Sequence, residues 1–151
     1  MIPTTMAGDA TDSLRTPDSS DDRWTVLYDV GCGFCRWTCA QVLALDRRHR
    51  LRPLAIQDPR AEALLHDLGP DERLRSWHLV SPSGERSSAG AALAPLLGLL
   101  PAGTVPAALL RRVPNATERA YAWVAGNRSR LSRLVPSQAK RRADEAILRR
   151  Q

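Results

Sequence analysis

All three cysteines of this chain, Cys32, Cys35 and Cys39, fall within eight residues, and the sequence changes character around them. Trp24, Val26, Leu27 and Tyr28 lead in with the aromatic and β-branched composition of a strand. From about Gly33 the period becomes helical: Cys35, Cys39, Val42 and Leu43 stand at i, i+4, i+7 and i+8 and define one apolar face. A Cys-x-x-Cys at a strand-to-helix junction is a redox pattern. The first turn of a helix leaves unpaired N–H groups and the positive end of the dipole, and both favour a thiolate. The thiolate is the nucleophile in disulfide exchange, and a second cysteine one helical turn on can close the ring.

The remaining composition limits the alternatives. The chain has 151 residues, enough for one domain with a core of its own. It contains no run of ~18 apolar residues, so no membrane span is expected. The first residues, Met1 to Thr5, lack the basic and apolar regions of a secretory signal, which predicts a cytoplasmic protein. In a reducing compartment, clustered cysteines argue against a structural disulfide framework. The charge of +6 is uneven. Residues 1–23 hold five acids and two bases, whereas residues 111–151 hold eleven bases and three acids. Of the 22 basic residues 21 are Arg, and the other is Lys140. So uniform a bias reads as a solvated Arg-rich surface, and nucleic-acid binding is not expected.

Along the chain, residues 1–22 are too poor in large apolar groups to offset ordering entropy and read as a disordered acidic tail. Residues 23–103 carry the core. Arg23–Tyr28 is a near-continuous apolar strand, of the kind covered on both faces. A helix is expected from Gly33 to Arg50, with Arg47, Arg48 and Arg50 near its negative pole. Leu51–Gln57 follows as a second strand, its Pro53 implying an edge or strand-start position. Asp58-Pro59 opens a short helix through Leu68, which Gly69-Pro70 ends. Ser76–Val80 is a third strand, Ser81-Pro82-Ser83-Gly84 a type I turn, and Glu85–Ser88 a fourth strand antiparallel to the third. Ala89–Leu100 is an apolar helix that Pro95 kinks or delays. A βαβ unit makes the first two strands parallel, and the hairpin adds an antiparallel pair. This order is that of an α/β, thioredoxin-like domain with a four-stranded mixed sheet. Residues 104–151 form a basic helical extension packed on the same domain. Within it Asn115-Ala116-Thr117-Glu118 has the form of a capping box, and Tyr121, Val124, Arg128, Leu131 and Val135 share a stripe.

Tyr28-Asp29-Val30-Gly31-Cys32-Gly33-Phe34-Cys35 resembles the Asp-x-x-Cys-x-x-Cys motif of the DCC family of thiol-disulfide oxidoreductases. Asp46, Gln57-Asp58, His78-Leu79-Val80 and Ser88-Ala89-Gly90-Ala91-Ala92 extend the likeness, as does the ending Tyr121-Ala122-Trp123-Val124-Ala125-Gly126-Asn127-Arg128. It covers about residues 24–134 and implies a thioredoxin-like fold and disulfide chemistry. Val30 stands where the family commonly has Gly. Classical thioredoxins also place a cis-proline before the third strand; here Leu74-Arg75-Ser76-Trp77 has none.

The expected reaction is thiol-disulfide exchange, with Cys32 as nucleophile and Cys35 as resolving thiol. Asp29, three residues before Cys32, is either a proton acceptor for Cys35 or a turn aspartate holding backbone N–H groups. Gly33, Phe34 and Trp77 are candidate substrate contacts. The expected partner is a disulfide-containing protein or a low-molecular-weight thiol. A reductant such as glutathione or a reductase renews the dithiol, and no cofactor is needed. Cys39 reads as a small buried hydrophobe, or as a third redox thiol that accepts the disulfide from Cys35. Asn127 and Arg128 match the family ending, and Arg128 is expected to pair with a core acid. Two other readings stand beside this one. A zinc or iron–sulfur module would use the three cysteines, with a fourth ligand for zinc. His49, fourteen residues past Cys35 on the expected helix, would lie about 21 Å from it, so only His78 remains for that role. A non-catalytic module would keep the fold and hold a partner with its basic helices.

Overall fold

The computed structural model describes residues 22–151, so the acidic segment expected to be disordered lies, apart from Asp22, outside the described residues. The run from Trp24 to Tyr28 forms β1, and helix α1 follows from Gly33 to Leu45. Strand β2 is Leu51–Ala55, parallel to β1 with Val26 opposite Pro53. Helices α2 (Pro59–Leu64) and α3 (Pro70–Arg75) cross to β3 (His78–Val80), which pairs antiparallel with β1 and then with β4 (Arg86–Ser88). The sheet order is β2-β1-β3-β4. Pro53 lies on an edge strand, where its missing N–H leaves no gap in the ladder.

Strand β1 is central, and its side chains alternate between the two faces. Val26 and Tyr28 enter a core with Cys39, Ala40 and Leu43 of α1 and with Leu96 and Leu99. Leu27 points the other way, against Leu54, Ile56, Ala61 and Leu65. An apolar run without polar alternation is what a strand buried on both faces requires.

Several boundaries depart from expectation. Helix α1 stops at Leu45 instead of reaching Arg50, because the Asp46 carboxylate turns the chain. Its Oδ1 accepts the Arg50 N–H at 3.1 Å and its Oδ2 the Leu51 N–H at 2.9 Å, which aims the backbone into β2. Arg47, Arg48 and His49 therefore lie in the connection, with His49 at a φ of 53°. Helix α2 stops at Leu64 rather than at Leu68, so Gly69-Pro70 does not end it; the pair instead opens α3, with Pro70 in the first turn and the Glu72 carboxylate accepting the Gly69 N–H at 3.1 Å. The Ser81–Gly84 turn forms, closed by the Gly84 N–H to Ser81 carbonyl bond at 2.9 Å. Ala89–Ala92 is a 3-10 turn, and α4 runs Leu93–Leu99.

Helices α5 (Thr104–Arg112), α6 (Pro114–Leu134) and α7 (Ser137–Leu148) complete the fold. The expected capping box at Asn115 is absent: α6 begins with Pro114 in its first turn, so Asn115 is already helical. Gly90 lets α6 close on the 3-10 turn, since a Cβ there would stand 2.9 Å from the Glu118 Cα. Helix α7 lies along α1. Its Ala143 and Ile147 join the core of Cys39 and Leu43, and Asp144 takes the Arg36 Nη1 at 2.9 Å and 3.0 Å. At its end Arg150 Nη2 reaches Asp46 Oδ2 at 3.1 Å and the Leu43 and Asp46 carbonyls at 2.8 Å each. Among the described residues no helix is long and apolar enough to cross a membrane.

Candidate active site

The segment from Asp29 to Gly33 joins the carboxyl end of β1 to α1. Parallel pairing sets the end of β2 beside it, and Gln57 follows two residues after β2. Gln57 Nε2 donates to Asp29 Oδ1 at 2.7 Å, and its Oε1 accepts the Val30 N–H at 3.3 Å. Asp29 Oδ1 also accepts the Gly31 N–H at 2.8 Å, and the Asp29 carbonyl accepts the Cys32 N–H at 3.3 Å. The loop is thus held as an Asx turn braced from the neighbouring strand.

Cys32 is the N-cap residue of α1, in extended conformation, and its Sγ accepts the Cys35 N–H at 3.2 Å. This is the place of the serine, threonine or aspartate oxygen at an ordinary helix start, taken here by sulfur. The two cysteines are joined as a disulfide with Cα atoms 5.2 Å apart. Cys39 is free and buried, and desolvation pushes its thiol up to about 12. Its burial favours the small-hydrophobe reading over that of a third redox thiol. Among the described residues no three His, Cys, Asp or Glu side chains gather as a metal site would need.

Gly33 is buried under the C-terminal helices. A Cβ on it would lie 2.8 Å from the Ser132 Oγ of α6 and 2.9 Å from the Lys140 Cε of α7. Phe34 is half-buried, with its ring 6.1 Å from that of Trp37. Trp77 immediately precedes β3. Because Leu27 faces His78 in the antiparallel ladder, the next step along brings Trp77 to the end of the sheet that carries the cysteine loop. Its N–H donates to the Tyr121 hydroxyl at 3.0 Å, and its ring packs on the core of Val26 and Tyr28. No described peptide bond is cis.

His78 is buried with both ring nitrogens occupied, Nδ1 by the Ser88 hydroxyl at 2.7 Å and Nε2 by the Arg73 carbonyl at 3.0 Å. Burial lowers its pKa from the ordinary 6.5. Arg128 docks α6 as expected, but on the Leu74 carbonyl at 2.7 Å rather than on an acid. Asn127 donates to the Trp123 carbonyl of its own helix at 2.8 Å. Sequence reasoning gave no role to Gln57, Ser132 or Lys140. A strand-end position beside the loop is the signal for Gln57, and its singularity among 21 arginines is the signal for Lys140.

A Cys-x-x-Cys disulfide at the start of α1, on a β2-β1-β3-β4 sheet, is the arrangement of the thioredoxin-like class. The family model of the DCC1-like thiol-disulfide oxidoreductases matches residues 26–134, most of the chain. The chain belongs to that family. No curated protein and no solved structure matches it.

Proposed function

We propose that the protein exchanges disulfides through Cys32 and Cys35. The observation that carries this reading is the Cys32 sulfur at the N-cap of α1, accepting the Cys35 N–H at 3.2 Å. An N–H donor and the positive helix end both favour the charged form of a thiol in the reduced state. The Cys32 thiolate attacks a substrate disulfide. One S–S bond forms between Cys32 and the substrate, the substrate's S–S bond breaks, and one substrate thiolate leaves. Cys35, once deprotonated, attacks the Cys32 sulfur. The ring disulfide forms and the second substrate thiolate leaves. Two electrons pass from the dithiol to the substrate, which takes up two protons from solvent or neighbouring groups. A dithiol reductase or a thiol such as glutathione returns the pair to its reduced form, and a cytoplasmic location supplies such reductants.

Asp29 is placed in this reading as the residue that holds the loop. Its Oδ1 already accepts two hydrogen bonds, from Gly31 and Gln57. Phe34 and Trp77 are the aromatic rim for the incoming disulfide, and Gly33 is where α6 and α7 approach the motif. Trapping tests the mechanism. A Cys35→Ser protein challenged with an oxidised protein extract retains partners on Cys32, released by reductant, and the Cys32→Ser/Cys35→Ser protein retains none. Absence of any trapped disulfide on Cys32 overturns the reading.

A further inference from the structure

Lys140 is the only lysine among 22 basic residues, and it lies beyond the matched segment 26–134. It is carried on α7, which is locked to α1 by the Arg36–Asp144 and Arg150–Asp46 pairs. Its stem crosses Gly33 so closely that a Cβ on that glycine would meet Cε at 2.9 Å and Cδ at 3.2 Å. The ammonium, one bond beyond Cε, therefore stands over the residue next to Cys32. Lys140 is half-buried, and its ammonium has no ion-pair or hydrogen-bond partner among the described residues. The other charges around the motif are engaged. Asp29 is held by Gly31 and Gln57, Arg36 pairs with Asp144, and Asp58 pairs with Arg60. Tyr28 has its pKa raised by burial, so its phenol stays neutral.

We propose that Lys140 is a positioning residue for the exchange chemistry: its ammonium favours the thiolate of Cys32. A cation beside a thiol stabilises the charged form. Lysine suits the place better than arginine. It is a compact point charge on a slender stem, whereas a guanidinium fork needs lateral room and planar partners. Gly33 provides the space for that stem, which links the residue between the cysteines to a helix more than a hundred positions on.

The inference rests on the exchange mechanism above, and its test separates the two. In a Cys35→Ser background, Cys32 is the one accessible thiol, since Cys39 is buried. The rate of alkylation by neutral iodoacetamide is followed against pH, and reaction with oxidised glutathione is measured in parallel. Lys140→Met keeps the stem over Gly33 and removes the charge. The expected result is an upward move of the alkylation midpoint by about one pH unit, a tenfold loss of thiolate below it. Lys140→Arg keeps the positive charge on a wider fork and is expected to move the midpoint less than Lys140→Met does. Gly33→Ala displaces the stem, so its shift and that of Lys140→Met are expected not to add. An unchanged midpoint in Lys140→Met overturns the proposal. So does a loss confined to the anionic oxidised glutathione, which would make Lys140 a binder of anionic substrates. If the parent forms no mixed disulfide with oxidised glutathione or any protein, the exchange reading fails whatever the midpoint does.

Discussion

Cys39 lies one helical turn beyond Cys35, yet its chemistry is opposite. Cys35 belongs to the ring at the helix start, whereas Cys39 is 2 % exposed and faces the core between α1 and the sheet. A thiol pushed up to about 12 is ionised at pH 8 only to about one part in ten thousand. The reduced native protein should therefore alkylate at two cysteines, with the third labelled only in denaturant. Mass spectrometry after iodoacetamide in buffer and in urea counts them. Rapid native labelling of Cys39 would contradict the packing. Asp29 presents a second choice at this scale. An asparagine can keep the Asx turn but cannot take a proton, whereas an alanine removes both. If Asp29 holds the loop, Asp29→Asn turns over at near the parent rate and Asp29→Ala loses stability by about 1 kcal/mol. A tenfold fall in turnover for Asp29→Asn, with Cys32 alkylating normally, would instead assign it the proton transfer.

Among elements, α1 is defined by its two ends. Cys32 caps the first, and Asp46 serves the second by accepting the Arg50 and Leu51 amides and the Arg150 guanidinium. The Asp46 side chain is fully buried and that of Arg150 nearly so, at 0 % and 14 % exposure. Removing the carboxylate leaves the Arg150 charge without its counter-ion and the Arg50 and Leu51 amides without their acceptor. Asp46→Ala should cost about 3 kcal/mol in urea unfolding. Asp46→Ala/Arg150→Met should lose less than the two single changes together, because neither charge is then stranded. Additive losses would mean that the pair does not join α7 to α1. The end of α1 was hard to read in the sequence, since Arg47, Arg48 and Arg50 look like a helix end facing its dipole. A carboxylate that reaches forward to amides four and five residues on has no periodic signature. Gly69-Pro70 misled for a related reason: a Gly-Pro pair suits a helix stop and a helix start equally, and here it opens α3 five residues after α2 has ended.

Across the whole molecule, His78 ties the sheet to acid stability. It lies 1 % exposed between Ser88 and the Arg73 carbonyl, and burial lowers its pKa from 6.5. Above about pH 6.5 both folded and unfolded chains keep it neutral, and the native state bears no penalty. Below that, the unfolded chain takes up a proton that the folded one excludes, so stability falls with pH by up to about 1.4 kcal/mol per unit until the folded pKa is passed. Urea midpoints at pH 7 and pH 5 should differ in this direction, and His78→Gln should reduce the difference. An equal difference in that variant would place the acid sensitivity elsewhere.

The amino-acid sequence by itself determined the strands around the motif, their order, and the Cys-x-x-Cys at the head of a helix. These follow from period, composition and turn chemistry over a few residues and were legible there, whereas at Asp29 the sequence left the turn and the proton acceptor as alternatives. Only the tertiary structure decided that the last helix returns to the first, joining Arg36 to Asp144 and Asp46 to Arg150 across 108 and 104 positions. It also chose the buried reading of Cys39 from the two that the sequence offered, and it alone set Lys140 over Gly33. The physical reason is that an amphipathic basic helix has the same pattern whether its apolar face meets solvent, a partner or α1. The choice is made by the surface that β1 and α1 leave uncovered, which exists only once the chain has folded. Next to Cys32 the two levels meet: local spacing put the sulfur at a helix start, and packing laid the stem of a single lysine over Gly33.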